Sequence, residues 1–469
     1  MLEQSILVEL ERIVGKENLL CTKEDLVCYG FDATPRLGRW PDAVVRPGNT
    51  RDVSAIIQLA NGDGFKVIPR GAGTNLSGGT VPIQGGVVMQ MNRMNRIQEI
   101  DTENLTAWVE PGVVTSDLHA AVEAIGLFYP PDPGSMTVST MGGNVAENAG
   151  GLRGLKYGVT RDYVIGLEVV LPTGEVMNTG GKTIKNVTGY DLTKLMVGSE
   201  CTLGVITRIL VKLIPKPEAK KTMLVFYRTL NDAAETVSSI IAHRIIPPTL
   251  EFLDNVTINC VEQYIHANLP LEMEAMLLIE VDGPPSVVES DAAKVMQVCR
   301  EHNAAEIQVS ATPEDSLRLS LGRRSALPAC ARLKPTMVLE DATVPRSQVA
   351  PMVRQIQEIA KKHDVLIATF GHAGDGNLHP TILCDERDHE QMERVDLAVD
   401  EIFKAALALG GTLSGEHGIG LSKAAFMTME MKDAGMKATV AIKRALDPNN
   451  VLNPGKMYLD DYRAPGAGN

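Results

Sequence analysis

No two cysteines in this chain stand in a C-x-x-C spacing, which removes a cysteine-held iron–sulfur cluster or zinc knot from consideration. The seven present (Cys21, Cys28, Cys201, Cys260, Cys299, Cys330 and Cys384) are an odd number, as expected of reduced thiols in the cytoplasm rather than a disulfide framework. No window approaches the run of about eighteen apolar residues that a membrane-spanning helix needs, so no transmembrane segment is expected. A basic excess is missing too. The net charge of −13 excludes a nucleic-acid partner, which demands a basic face. The opening MLEQSILVELERIVG is too acidic for a secretory signal and reads as an amphipathic helix. Internal repeats and low-complexity segments are absent.

What is there suits a soluble globular protein: 469 residues, 44% hydrophobic and 22% charged, enough for two or three domains with their own cores. Residues 69–79 read PRGAGTNLSGG, directly after the strand-like run 65–68. Glycine takes positive φ and lets a ligand approach the backbone, and successive N–H groups in such a turn form an anion-binding concavity suited to a pyrophosphate. A loop of this composition also serves as a plain flexible connection. The spacing Gly71, Gly73, Leu76 breaks the G-x-G-x-x-G fingerprint, and no Gly-Lys-Ser/Thr follows, so neither a Rossmann site nor a P-loop is present. A second segment, 130–151, reads PPDPGSMTVSTMGGNVAENAGG, nearly uncharged. Its Pro133, Gly134, Ser135, Thr137, Ser139, Gly142, Gly143, Asn144 and Gly150 are suited to wrapping a large polar ligand with backbone groups.

Residues 1–218 alternate strand-like and helix-like segments: strands near 43–46, 86–91, 105–109, 164–171 and 175–178, a helix capped by Thr50, and another starting at Thr115 or Ser116. The pattern changes near 215–217. Residues 219–410 carry strands at 223–227, 275–281 and 365–370 and helices at 348–363 and 391–409, which predicts an antiparallel sheet with helices on one face. Residues 411–469 form a closing segment ending in DPNNVLNPGKM.

These two loops, with Tyr157-Gly158 and the run GYDLTKLMVGSECTLGVIT (189–207), resemble the flavin-binding domain of the vanillyl-alcohol oxidase / p-cresol methylhydroxylase superfamily, and within it the FAD-linked 2-hydroxy-acid dehydrogenases. The resemblance runs from about Pro41 to Met457. It implies an α+β fold: a two-part FAD-binding domain, a cap domain with antiparallel sheet, and a C-terminal segment returning toward the flavin. It places FAD against Pro69, Arg70, Gly71, Ala72, Gly73, Thr74, Asn75, Ser77 and Gly78 of the first loop. Further contacts fall on Pro133, Gly134, Ser135, Thr137, Gly142, Gly143, Asn144, Asn148, Gly150 and Gly151, then Tyr157 and Gly158. Glu200, Gly204, Val205, Ile206 and Asn453 complete the set. Some superfamily members link flavin through a histidine where this chain has Thr74, so non-covalent FAD is expected.

Two further Gly-rich stretches carry chemistry. ATFGHAGDGNLHP (368–380) holds His372 and His379, and GGTLSGEHGIG (410–420) holds Glu416 and His417. Two imidazoles and a carboxylate are the ligand set of an open divalent-metal site, although nine histidines in a chain this long also fall close by chance. The six-residue gap fits no single helix face, so loop geometry must join the histidines, with Asp375 and Asn377 shaping the turn. The resemblance implies His372, His379 and Glu416 as ligands of a divalent metal, zinc first, iron or manganese next. It implies His417 as general base, where support of the ligands is the alternative. Arg323, ahead of D-x-T-V-P (341–345), falls where the family clamps the substrate carboxylate.

The implied reaction is oxidation of a small D-2-hydroxy acid, D-lactate or glycolate, by metal-assisted deprotonation of the hydroxyl and hydride transfer to flavin N5. D-2-hydroxyglutarate is the alternative substrate. The positions expected to hold its distal carboxylate are apolar here, Leu327 and Val338 or Leu339. Electrons would pass to a quinone or to a partner, an electron-transferring flavoprotein or iron–sulfur subunit, through which alone a membrane would be reached. A flavin carrier without substrate chemistry would need no such His/Glu set. One departure stands out: G-S-E-G-T-L-G in the family is G-S-E-C-T-L-G here, so Cys201 should be strained if that glycine has positive φ.

Overall fold

The computed structural model describes residues 2–463. The chain divides into two units, one of Met1–Ala149, Val159–Lys216 and Glu416–Asn469, the other of Gly150–Gly158 and Pro217–Gly415.

The first unit contains a four-stranded sheet in the order Leu19–Leu20, Ala43–Val45, Val87–Gln90, Val67–Arg70. Its last three strands are parallel. Parallel neighbours need a crossover, and the helix Thr50–Asp63 supplies it between Ala43–Val45 and Val67–Arg70. The residue that caps this helix is Asn49 rather than Thr50: Asn49 Oδ1 accepts from the N–H groups of Arg51 and Asp52. An oxygen one position earlier reaches the first unsatisfied amides, and Gly64 at φ 74 ends the helix. Val53, Ile56, Ile57 and Ala60 bury one face in a core shared with Val45, Val67, Val87 and Met89. A five-stranded antiparallel sheet follows the order Ile97–Asp101, Thr106–Val109, Val205–Lys212, Val164–Val170, Val176–Gly180.

The end of the chain is part of this unit. Leu452 bridges Val67, and Lys443, on the helix Met427–Leu446, donates to the carbonyls of Thr202 and Leu452 and to Asp447 Oδ2 at 2.5 Å. Asp447 also accepts from the N–H groups of Val451 and Leu452. Both side chains are buried. Removing one member of a buried ion pair leaves an uncompensated charge, so Asp447→Ala should lower stability by about 3–5 kcal/mol in denaturant titration. An unchanged unfolding midpoint would show that Lys443 is satisfied by carbonyls alone.

The second unit is built on one antiparallel sheet, in the order Glu306–Val309, Ala219–Tyr227, Ala275–Gly283, Thr249–Asp254, Leu366–His372, Asn377–Cys384, Thr336–Leu339, with Ala342–Thr343 also on Asn377–Cys384. Helices cover both faces, not one. Val225, Tyr227, Leu277 and Ile279 pack with Val237, Val295, Ile356 and Ile402 on one side. Leu224, Phe226, Met276 and Leu278 pack with Ile258, Val261, Leu319 and Ala329 on the other. The cause lies in the strands themselves: MLVFY (223–227) and AMLLI (275–279) are apolar at every position and have no solvent face to offer.

Candidate flavin cradle and metal-binding face

In the first unit the Gly-rich loop leaves the strand Val67–Arg70 and is held from several sides. Gln90 Nε2 donates to the Gly71 carbonyl, and Arg70 Nη1 donates to Phe31 O and Thr80 Oγ1. A Cβ at Gly71 would strike Thr140 Oγ1, and Gly73 has φ 72 with no room before the Arg70 guanidinium, so both glycines are required by the turn itself. The returning segment is stitched to the same loop. Ser77 O accepts from the N–H groups of Leu421 and Ser422, and Asn453 Nδ2 donates to Gly79 O and Glu200 O. Lys456 Nζ donates to Val81 O, its pKa pushed down to about 8 by burial, against the pull of Glu200 and Asp32.

Along this loop Asn75 Nδ2, Ser77 Oγ and Asn453 Oδ1 are buried with no hydrogen-bond partner. Buried polar atoms are normally satisfied, so a cluster of orphans lining a glycine turn fits a polar ligand such as a dinucleotide flavin.

Other expected flavin residues have duties of their own. Asn144 Nδ2 donates to buried Thr115 Oγ1, and Asn148, at φ 57, ends the helix Met141–Glu147 and accepts from Arg161 N. Glu200 accepts from the N–H groups of Ile419 and Gly420, anchoring the segment that follows His417. Burial raises the Glu200 carboxyl, with these two amides opposing. Burial, then the charges of Glu200 and Asp32, pushes the Glu147 carboxyl well above the usual carboxylate range. Val205 and Ile206 are buried strand residues, and a Cβ at Gly204 would strike Val169. Pro133, Gly134, Ser135 and Thr137 lie in the turn region before that helix, Gly134 with open space where a Cβ would be. Gly150, Gly151, Tyr157 and Gly158 belong to the segment that clusters with the second unit, where Tyr157 Oη donates to Asp282 at 2.7 Å. Cys201 stands at φ 53 beside Glu200 at φ 50, two consecutive non-glycine residues in the left-handed region, a strain of about 1 kcal/mol or more at each. Burial, then Glu147 and Glu200, pushes its thiol up to about 12, so it remains an unreactive SH.

In the second unit His372 and His379 stand not on a loop but on the two strands of a tight β-hairpin, Leu366–His372 and Asn377–Cys384. Phe370 pairs with His379 and His372 with Asn377, so all four side chains leave the same face. That register explains the gap the sequence leaves open: the imidazoles are diagonal neighbours, with ring centroids 5.2 Å apart and planes at 90°. The turn needs glycine at Gly376, where φ is 91 and a Cβ would meet the Val344 carbonyl oxygen. Asp375 Oδ1 accepts from Asn377 N, shaping the turn. Asn377 does more than that: its side-chain amide ties Asp341 and Thr343 to the hairpin.

The neighbouring strand Thr249–Asp254 pairs Phe252 with Gly371, and one step further brings Glu251 opposite His372. Glu251 is fully buried. Its Oε1 lies 2.7 Å from His372 Nδ1 and its Oε2 accepts from Arg323 Nε at 2.6 Å. Burial alone would raise this carboxyl, and His372 and Arg323 together overcome that and hold it below the usual carboxylate range. An ionised carboxylate only accepts, so Nδ1 of His372 carries a proton, and in the neutral ring Nε2 is then the lone-pair nitrogen. Arg323, at the end of the helix Pro313–Arg324, is buried with its guanidinium 5.1 Å from the centre of the Phe370 ring. Asp341 accepts from Ser414 Oγ and Gly415 N at 2.7 and 2.8 Å and lies 3.8 Å from His379 Nδ1. Two imidazoles on one face, one already tautomer-fixed by a carboxylate, fit a borderline divalent cation. Glu416 and His417 follow Gly415 directly and open the last segment of the first unit, His417 Nε2 lying 3.8 Å from Glu416 Oε1. Glu251 is the residue of this face that the sequence alone did not single out. The signal was a lone acid inside TLEFL, a segment apolar enough to be buried.

Residues 41–180 match the family described as "FAD binding domain", and residues 216–457 match "FAD linked oxidases, C-terminal domain". The glycolate oxidase subunit GlcD of Bacillus subtilis is 54% identical over 463 residues, covering 99% of this chain and 98% of the relative. GlcD of Escherichia coli is 36% identical (96% and 90%), and a D-lactate dehydrogenase of Archaeoglobus fulgidus 38% (92% and 95%). Among solved structures, p-cresol methylhydroxylase with substrate bound shares the fold at 19% identity, with a TM-score of 0.79 over 97% of this chain and 96% of that one. This chain belongs to the FAD-linked oxidases, an FAD-binding domain followed by that family's C-terminal domain.

Proposed function

We propose that this protein oxidises a small D-2-hydroxy acid, D-lactate or glycolate, to the 2-oxo acid. The reading is supported above all by the face on which Glu251, His372, His379 and Arg323 meet, a cation-binding pair next to a carboxylate-binding arginine. When bound, FAD would supply the hydride acceptor for the substrate Cα, and a divalent cation, zinc for a nitrogen-rich set with iron or manganese next, would supply the Lewis acidity that lowers the hydroxyl pKa.

Each residue then has a task. His372, His379 and Glu416 would hold the cation, and His417 would take the hydroxyl proton. Arg323 commits Nε to Glu251 and keeps its Nη donors for the substrate carboxylate. In a chain with thirteen more acidic than basic side chains, the cation and Arg323 are the local positive centre that an anionic substrate needs. Leu327 and Leu339 pack against one apolar core and Val338 against the other, which favours a short monocarboxylate over D-2-hydroxyglutarate. The relatives named for glycolate and D-lactate point the same way.

Two electrons per turnover would then leave the flavin for a separate acceptor, an electron-transferring flavoprotein, an iron–sulfur subunit or a quinone. No described helix is long and apolar enough to cross a membrane. Free cysteines fit a cytoplasmic enzyme that would reach a membrane only through a partner subunit.

Anaerobic mixing with a panel of D- and L-hydroxy acids tests the reading, with metal analysis of the same sample. D-lactate or glycolate should bleach the flavin absorption, L-lactate should not, and D-2-hydroxyglutarate should be slow. A bound flavin that no hydroxy acid bleaches would make the chain an electron carrier. A metal-loaded protein without flavin would make it a hydrolase.

A further inference from the structure

We infer that Glu251 is a positioning residue that couples the two halves of the substrate site, fixing one metal ligand and the carboxylate clamp with a single side chain. The inference rests on the proposed function above and names a residue which that mechanism does not itself use. Three observations carry it. Glu251 meets both His372 and Arg323, one through each carboxylate oxygen. It is buried without solvent access on a strand between two others, so its backbone is fixed on both sides by ladder pairing. The bonds join parts of the chain 72 and 121 residues apart, which local folding does not explain.

The geometry has a chemical consequence. A carboxylate on Nδ1 holds the tautomer whose Nε2 faces outward, raises the basicity of that nitrogen and stops ring rotation. The second oxygen holds Nε of Arg323, whose guanidinium also lies over the Phe370 ring, and this limits the orientations in which its Nη donors can meet a carboxylate. A substrate that binds a cation through its hydroxyl and carboxylate, and the arginine through its carboxylate, needs both at a fixed separation. Glu251 sets that separation. A carboxylate that served Arg323 alone, as counter-ion, would leave cation binding untouched.

The test is Glu251→Gln, with zinc affinity measured by competition against a chelating dye and glycolate or D-lactate affinity from the concentration dependence of flavin bleaching. The amide is isosteric but has one accepting oxygen, so it can accept from one partner and not from both. Zinc affinity should fall about 10–100-fold and substrate affinity should fall with it, while flavin content stays at the parental level. Glu251→Asp keeps the charge and shortens the reach, and should also weaken zinc and substrate binding, by less. Zinc affinity unchanged in both variants would overturn the inference, and so would a zinc loss with substrate affinity intact. Should Glu251→Gln fail to fold, Glu251→Asp decides alone, and full zinc and substrate affinity in it would overturn the inference. If the parent itself binds no divalent cation, the metal reading fails first and the two failures are told apart.

Discussion

His379→Ala should leave the protein yellow and strip it of bound metal, with flavin reduction by D-lactate or glycolate slowed on the order of 10³-fold. A Lewis-acidic cation contributes several kcal/mol to a deprotonation, and about 1.4 kcal/mol is a factor of ten in rate. His379 is the proposed ligand to remove because its loss leaves the Glu251–His372 bond in place on the neighbouring strand. The substitution also leaves the hairpin intact, since Asn377 still ties Asp341 and Thr343, and Gly376 still makes the turn. Metal analysis and anaerobic stopped-flow absorbance read both quantities on one preparation. Metal retained at the parental stoichiometry would remove His379 from the ligand set.

His417→Ala should keep metal and flavin and lose the proton acceptor. General base catalysis contributes about 10²–10⁴-fold, so reduction should slow by that range with substrate affinity nearly unchanged. The segment carrying His417 is anchored independently of its side chain, through the Ile419 and Gly420 amides on Glu200 and the Leu421 and Ser422 amides on Ser77 O. The variant should therefore fold as the parent does, and added imidazole should restore part of the rate. A parental rate without His417 would assign the proton to another group. A loss of bound metal would give His417 a supporting role instead.

What the sequence disclosed and what it hid follow from distance along the chain. The glycine turn at 71–73 is local, and its requirement for positive φ is written in adjacent residues, so it was readable. The strain expected at Cys201 is equally local and is present at φ 53. The α+β character and the antiparallel cap sheet were readable from periodicity. Coverage of that sheet on both faces was readable in principle from unbroken apolar runs, but alternation was the pattern sought. The histidines were visible as residue types, whereas the hairpin register that sets them 5.2 Å apart was not. Glu251 was hidden altogether, because its role is defined by partners that only the sheet brings within reach.

The strand that feeds the glycine turn carries a last consequence. Its bridge to Leu452, and the Asn453 bond to Gly79 across 374 residues, mean that the flavin-holding unit cannot close while the ribosome is still synthesising the second one. The inserted unit has its own sheet and core and can fold first, while the N-terminal part waits with its cradle unfinished. Completion of the cradle is thereby deferred until Leu452 and Asn453 have been made, and a chain that stops short of them lacks both links to the glycine turn.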